Sequence, residues 1–289
     1  MWIDLVHPDE ALLRQVWDAV CVPGEALDTL RSGTSPVLQS AGEYFWLRVA
    51  AVDEHEGDQV TGAVLALVAG CNRVVSIHEA PLDFIDGLMQ QQGNGAEWAR
   101  LSSESFVAAL LDWQLSTYFD AVSDYENAIE RLENDILTAD GNTSLAELRR
   151  LRRWASRLRR MLAPHRVVFG AMSRPDFRAS GTELDERHFV AIDTRFERAM
   201  DMVENARELV LGSFELFSSK TALQTEERMK VLTFVTVVMG GLATIVGALG
   251  MNFQASMFQT GNMGFWVAIG GLCVLTAAGM MFGRRRGWY

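Results

Sequence analysis

Hydrophobic and polar positions follow three different rhythms along the chain. Over residues 1–100, short runs rich in β-branched and aromatic side chains (2–6, 44–52, 62–68 and 74–78) read as strands. Gly70 and Asn72 mark a turn between the last two. Helical spacing at 8–20 and 81–91 makes this region an α/β domain whose strand order the pattern does not reveal. Over residues 101–228 the period is helical, with breaks near 140–143 and 175–181. The spacing predicts helices over 102–138 and 144–172. Val122, Tyr125, Ile129, Leu132 and Ile136 on the first face a hairpin core shared with Leu148, Leu151, Leu158 and Leu162 on the second. A third helix begins near Leu184 and carries two apolar stripes. Phe189, Ile192, Phe196, Ala199, Val203, Ala206, Val210 and Phe217 form one; Met202, Leu209, Leu216 and Leu223 form the other. Two stripes on one helix predict two packing partners, as in an oligomeric stalk.

The third rhythm is the absence of charge. From Val231 to Gly283 there is no Asp, Glu, Lys or Arg. Residues 231–250 form an apolar helix about 30 Å long, the thickness of a hydrocarbon core. Residues 265–282 form a second span near the lower length limit. A buried soluble hairpin is the poorer alternative, because two successive charge-free helices of this length are rare in soluble proteins. The stalk helix runs into the first span, giving a continuous helix of about 100 Å. Residues 229–289 are thus the expected transmembrane domain. Arg228 and Lys230 precede it, and Arg284, Arg285 and Arg286 follow the second span. The connecting loop 253–264 has no basic residue, so both termini are expected in the cytoplasm and the loop outside. Trp266, Trp288 and Tyr289 are expected interface anchors.

Net charge changes the picture little. At −11 it argues against a dedicated nucleic-acid binder. Three scattered cysteines, Cys21, Cys71 and Cys273, make no disulfide or zinc framework. The N-terminus MWIDLVHPDE has no signal-peptide pattern. Charge placement is more telling. The helix over 102–138 ends acidic (Asp120, Asp124, Glu126, Glu130, Glu133, Asp135), and the next is strongly basic (Arg149, Arg150, Arg152, Arg153, Arg157, Arg159, Arg160, Arg166). A charge-complementary hairpin or a subunit contact explains this best; an anionic ligand or lipid surface is the other reading. His55 sits among carboxylates in the stretch DEHEGD (53–58), which reads as a solvated acidic loop before a metal site. No phosphate loop, nucleophile elbow or HExxH pattern appears, so neither ATP-driven transport nor hydrolysis is expected.

On the first span, Met229, Leu232, Thr236, Gly240, Ala243 and Gly247 share one face at 3–4 spacing. The face is small, with one hydroxyl. Close helix packing explains such a face. So does a narrow pore with hydrophobic rings at Met229 and Leu232 that gate by dewetting, which needs a homo-oligomer. Periodicity leaves the two open.

Three motifs add a resemblance. MKVLT (229–233) is followed 17 residues later by GMNF (250–253), a second span and a basic tail with Trp. This resembles the CorA family of divalent-cation transporters, whose two-helix membrane domain carries a Gly-Met-Asn signature. The stretch LRRWASRLRRMLAPHRVVF (151–169) is similar to the ZntB zinc-transporter branch. Within the family the chain looks like a bacterial CmaX-type member.

The resemblance implies an α+β membrane protein: a cytosolic α/β domain, a long helical stalk or funnel, and two transmembrane helices in a homopentamer. It implies an inner-membrane location, a bilayer and divalent cations as partners, no nucleic acid, no enzymatic activity and no cofactor beyond the cation itself. Gly250, Met251 and Asn252 match the selectivity ring, Gly250 giving a sharp bend and Asn252 contacting a still-hydrated ion. Met229 and Leu232 match the gate, and Glu215 an acidic ring on the cytoplasmic pore axis that is a further metal position. Glu226 stands where the family frequently has Asn, adding charge below the gate. At Gly240, Gly241 and Ala243 the family commonly has Met, Pro and Thr. Loop 253–264 lacks the acidic pair of Mg²⁺ importers, leaving Asn262 or Gln259 as neutral substitutes. Mg²⁺ is the first expected ion, with Zn²⁺ or Co²⁺ next. A membrane-anchored scaffold or a metal or stress sensor with a degenerate pore is the alternative.

Overall fold

The computed structural model describes residues 1–31, 33–53, 60–91, 101–138, 142–177, 182–250 and 261–285. They divide into two units, Met1–Glu215 and Leu216–Tyr289.

The first unit is built on a five-stranded sheet. Its strands are β1 (Trp2–Val6), β2 (Val37–Ala41), β3 (Tyr44–Asp53), β4 (Thr61–Gly70) and β5 (Arg73–His78), in the order β1-β5-β4-β3-β2. Only β1 and β5 pair in parallel. The four strands read from sequence are present. β2 was not expected, because VLQSA is an exposed, half-polar edge strand with pairing on one side only. Between β4 and β5, Cys71 and Asn72 both adopt left-handed φ (48° and 60°), as a two-residue type I′ turn requires. Gly70 beside it must lack a side chain: a Cβ would lie 2.5 Å from the Glu43 carbonyl oxygen and 2.6 Å from the Tyr44 ring.

Helices cover both faces. On one lie α1 (Glu10–Val20) and α2 (Gly24–Arg31), where Leu13, Trp17, Val20, Ala26 and Leu30 pack on Trp46, Val68 and Val75. Asp9 caps α1 by accepting from the Leu12 amide at 2.7 Å, and Cys21 ends it in the left-handed conformation. α2 also escaped the sequence reading. Buried Arg48 holds its end, donating to the carbonyls of Thr29, Leu30 and Ser35. α3 (Asp83–Gln91) follows β5, and α4 (Ser103–Thr138) packs across β3, β4 and β5.

β3 outruns its edge partner, since β2 pairs no further than Val37 opposite Arg48, just after Pro36. Side chains take over the exposed backbone there. Gln114 and Tyr118 of α4 donate to the Ala50 carbonyl at 2.6 and 2.9 Å, and the Val52 amide donates to Thr117 at 3.0 Å. The Ala50 amide donates to Nε2 of His165 at 2.8 Å. Each bond satisfies a polar group that would otherwise be buried at a cost.

The single helix expected over 144–172 is three pieces: α5 (Asn142–Leu162), a 3₁₀ turn (Ala163–His165) and α6 (Arg166–Met172). Pro164 cannot donate a helical hydrogen bond and breaks the run. The break places His165 against β3. Leu148, Leu151, Leu158 and Leu162 are buried as the hairpin core required. The charge pairing differs from expectation, however. Arg159 pairs with Glu204 and Arg166 with Glu197 (2.9 Å), so these two arginines address α7 (Glu183–Leu249) and not the acidic end of α4.

α7 has 67 residues and an arc length of about 100 Å. Its N-terminal half belongs to the first unit. Phe189, Ile192, Phe196, Ala199, Val203, Ala206 and Val210 are buried as one stripe, while Leu209 and Leu223 of the other stripe are exposed. Phe196 stacks on Phe169 at 4.9 Å, and Ser213 donates to Glu133 of α4 at 2.7 Å. At its start, Thr182 and Asp185 cap reciprocally, and Ser102 and Ser105 also donate to Asp185 (2.5 and 2.7 Å).

The second unit contains the rest of α7 and α8 (Gly261–Arg285). Both helices are long and apolar enough to cross a membrane. α8 starts earlier than the expected span, so residues 261–264 form its first turn instead of loop. Residues 253–260 of that loop, Gln259 included, lie outside the described residues, as do Trp288 and Tyr289.

Candidate functional site

Within the second unit the two helices meet through particular faces. On α8, Gly264, Ala268, Leu272, Thr276, Gly279 and Gly283 are less exposed than their neighbours, at a spacing of three to four. On α7 the covered positions are Phe234, Val238 and Leu242. At Gly279 a Cβ would stand 3.7 Å from Val238. Small residues on α8 thus let the backbones approach, the usual logic of helix packing in lipid.

The small face of α7 is a different face. Met229, Leu232, Thr236, Gly240, Ala243 and Gly247 are all exposed, and nothing lies within 4 Å of a Cβ placed on Gly240 or Gly247. Packing against α8 therefore does not use it. Thr236 donates its hydroxyl to the Leu232 carbonyl at 2.8 Å, so its oxygen lone pairs stay available on that face. The two larger side chains, Met229 and Leu232, are together at its N-terminal end.

Gly250 closes α7 with a helical bond from its amide to the Val246 carbonyl at 3.0 Å. Its φ is not left-handed, and a Cβ there would meet only ordinary contacts at 3.5 Å. Its own backbone does not use the freedom of glycine for the sharp bend expected of it. Met251 and Asn252 lie outside the described residues.

The two acidic candidates differ. Glu215 is exposed on α7. Glu226 is exposed too, but Lys230, one turn on, donates to it at 2.8 Å. That hydrogen bond, with the ammonium charge, lowers the Glu226 pKa, and with the carboxylate charge it raises that of Lys230. Sequence reasoning used Lys230 only as a flanking positive charge. The i,i+4 Glu→Lys spacing was the available sign of the pair.

The histidines do not gather. His7 pairs with Glu79, His78 is buried against Asp4, His165 is part of the β3 edge, and His188 meets Ser105. His55 lies outside the described residues. Among the described residues no group of three or more His, Cys, Asp or Glu can hold a metal ion.

Comparison with known proteins now decides the family. The family of CorA-like Mg²⁺ transporter proteins matches residues 1–286. The chain belongs to it. The Divalent cation transporter CmaX of Pseudomonas aeruginosa is 27% identical over 253 residues, 84% of this chain and 74% of the relative. The Cobalt/magnesium transport protein CorA of Thermotoga maritima is 23% identical over 236 residues, 81% of this chain and 66% of that protein's own length. The complete structure of the CorA magnesium transporter from Methanocaldococcus jannaschii superposes with a TM-score of 0.81 at 20% identity, covering 100% of this chain and 91% of the other. The full-length CmaX structure gives 0.72 at 21% identity, covering 98% and 87%. These likenesses of structure are likenesses of fold.

In this CorA-family chain, then, the site candidates fall into three groups. Met229 to Gly247 share an exposed face of α7. Glu226 is tied to Lys230, while Glu215 belongs to the first unit. The remaining pair of the signature, Met251 and Asn252, stands next to Gly250 in sequence.

Proposed function

We propose that the chain transports divalent metal cations through a homopentamer whose pore is lined by α7, with Mg²⁺ first in rank and Zn²⁺ or Co²⁺ next. The observation that carries this reading is the unused small face of α7 in a CorA-family chain: α8 packs elsewhere and leaves Thr236, Gly240, Ala243 and Gly247 exposed. One two-helix unit cannot enclose a pore, but five copies placing this face inward can. Gly250, Met251 and Asn252 form the outer ring in this reading. Mg²⁺ gives up its water shell reluctantly, so neutral amide and carbonyl oxygens that contact the shell select it without stripping it. Met229 and Leu232 form hydrophobic rings that close the pore by dewetting. Glu215 supplies a ring of carboxylates on the cytoplasmic side, and Glu226 a second whose charge Lys230 offsets.

In this reading both termini are cytoplasmic and the membrane is the bacterial inner membrane. The cation is cargo, driven by its gradient and the membrane potential, and the protein neither catalyses a reaction nor binds nucleic acid. The names of the relatives, cobalt/magnesium transport protein and divalent cation transporter, agree with this cargo class.

The test is flux of Mg²⁺, Zn²⁺, Co²⁺ and Ni²⁺ into liposomes carrying the purified protein, with and without a proton gradient. Transport by the wild type and its loss in Asn252→Ala support the reading. Unchanged flux in Asn252→Ala removes the signature as a filter. A monomer or dimer by native mass measurement removes the pore altogether and leaves a membrane-anchored scaffold or sensor.

A further inference from the structure

Among the described residues two histidines are buried, and they meet opposite partners. His165 turns Nε2 to a donor, the Ala50 amide. His78, 3% exposed, turns both ring nitrogens to acceptors. Nδ1 lies 2.6 Å from the Ala80 carbonyl, and Nε2 lies 3.2 Å from both oxygens of Asp4. Strand alternation builds the site: Trp2 and Asp4 share one face of β1, Ser76 and His78 the same face of β5, and the parallel register sets Asp4 beside Ser76.

The hydrogens of this network can be placed one by one. Trp2 Nε1 donates to Ser76 Oγ at 2.8 Å, so the Ser76 hydroxyl turns its own hydrogen to Asp4. Asp4 accepts from Ser76 and from His78, as an ionised carboxylate does. A carbonyl cannot donate, so Nδ1 carries one proton for Ala80 and Nε2 a second for Asp4: the ring is an imidazolium. Burial disfavours that charge, but the hydrogen bond to Asp4, the Ala80 carbonyl and the negative charges of Asp4 and Asp86 outweigh it and raise the His78 pKa above its ordinary value. Those charges come from β1 (Asp4) and α3 (Asp86), while β4 sets apolar Leu65 beside His78. α4, whose Phe106 packs on Trp2 at 5.1 Å, carries Glu104 in its first turn, where Ser103 Oγ donates to it at 2.8 Å. Glu79, next in sequence, faces His7.

We propose that His78 is an alkaline-sensitive latch: charged, it fastens the segment 79–82 and the start of α3 to β1, and loss of its proton lets that segment go. Once Nε2 gives its proton to solvent, its lone pair faces the Asp4 carboxylate and repels it. Moving the remaining hydrogen to Nε2 leaves the Nδ1 lone pair against the Ala80 carbonyl instead. Either way one of two hydrogen bonds becomes a repulsion, in a site where burial keeps water from replacing it. Apolar residues of similar volume often serve a buried position as well as an ion pair does, so stability alone does not explain the network. A histidine whose pKa the fold raises stabilises fully below its unfolded value of about 6.5 and loses that contribution as pH rises through the folded value. His165, whose pKa burial lowers, responds on the acid side instead.

The test uses the full-length protein in detergent. Histidine labelled with ¹³C at Cε1 is titrated by NMR, and amide hydrogen exchange is followed over peptides from 79–90, corrected for the intrinsic dependence of exchange on pH. One ring is expected to stay protonated past pH ~6.5 and to titrate above it, and its resonance is absent from His78→Gln. Over the same range, exchange across 79–90 should rise by about three-fold or more in step with the ring, while His78→Gln shows no such rise. Asp86→Asn, at an exposed position of α3, removes one supporting charge and should move both transitions to lower pH, so it reports on His78 even where His78→Gln fails to fold. His165→Gln leaves both transitions in place. A His78 ring already neutral at pH ~6 overturns the latch, as does a ring that titrates with no change in exchange across 79–90. So does a rise in exchange that His78→Gln retains.

Discussion

Phe169 and Leu275 are both large apolar residues on helices, yet the first is 1% exposed and the second 54%. The difference holds across the two units they represent. In Met1–Glu215, apolar side chains close on one another, and Gln114, Thr117, Tyr118 and His165 satisfy backbone groups that the short β2 leaves unpaired. In the membrane unit, Val237, Met239, Val267 and Met281 stand open, and among the described residues no side chain is recruited from elsewhere to satisfy the backbone of the helices. Thr236, Thr244 and Thr276 turn their hydroxyls back onto carbonyls of their own helices. One unit is built against water and solves its polar groups by tertiary contact. The other is built for lipid, where each helix must be self-sufficient.

The strongest way to break this comparison is to delete equivalent volume from each. Phe169→Ala is expected to cost about 3–5 kcal/mol, because Phe169 is buried and stacked on Phe196. Leu275→Ala is expected to cost less than about 0.5 kcal/mol. Thermal and denaturant unfolding of the detergent-solubilised protein, followed by near-UV circular dichroism, measures both. Equal losses would mean that the second unit has a closed core of its own.

Next in size is a dependence on pH confined to the first unit. Burial pushes the His165 pKa down to about 4, against small opposing contributions from the Leu162 and Met161 carbonyls. The geometry agrees: Nδ1 faces the Leu162 carbonyl at 3.0 Å, while Nε2 accepts from the Ala50 amide and has no room for a proton. A histidine depressed in the fold stabilises fully above its unfolded pKa. Stability should therefore fall as pH drops from about 6.5 to about 4, by roughly 3 kcal/mol in all. His165→Gln, which keeps an acceptor and cannot titrate, should flatten that stretch of the stability–pH curve. A curve unchanged by the substitution would remove His165 from the edge of β3.

Asp185 acts in a lower window. Burial alone would raise its pKa, but hydrogen bonds from Ser102, Thr182 and Ser105 bring it to about 2. A depressed carboxylate stabilises above its unfolded pKa, so its contribution, about 2 kcal/mol, is present above pH ~4 and disappears as pH falls towards 2. Asp185→Asn should remove most of it at neutral pH and erase the acid slope. Retention of that slope would point to another carboxylate.

What could be read from sequence follows the same division. The membrane unit was legible because lipid imposes long, charge-free runs, and Val231 to Gly283 announces itself. The buried stripe from Phe189 to Val210 was legible by period. β2 and α2 were not, since VLQSA and GEALDTLR are short and half-polar, and depend on neighbours such as Arg48. The part of His165 lay out of reach, because its partner Ala50 is 115 residues away. Arg159 and Arg166 were assigned to the nearest acidic helix in sequence, whereas folding brings Glu204 and Glu197 closer. At the candidate pore, spacing defined the face from Met229 to Gly247, but what that face touches belongs to an assembly and not to one chain.

The smallest expected effect tests that last point. Glu226 and Lys230 are both exposed and pair with each other across one turn, so the pair contributes nothing measurable to folding. Glu226→Gln should leave the unfolding midpoint unchanged while Asp185→Asn moves it. In liposomes the pair should matter differently. If five copies arrange Glu226 below the gate, Lys230→Gln frees a ring of carboxylates and should raise divalent flux by about two- to five-fold at low salt, fading at high ionic strength. Glu226→Gln leaves five ammonium groups unopposed and should lower it. Flux indifferent to both substitutions would place this turn of α7 away from any cation path, even if Asn252→Ala abolishes transport.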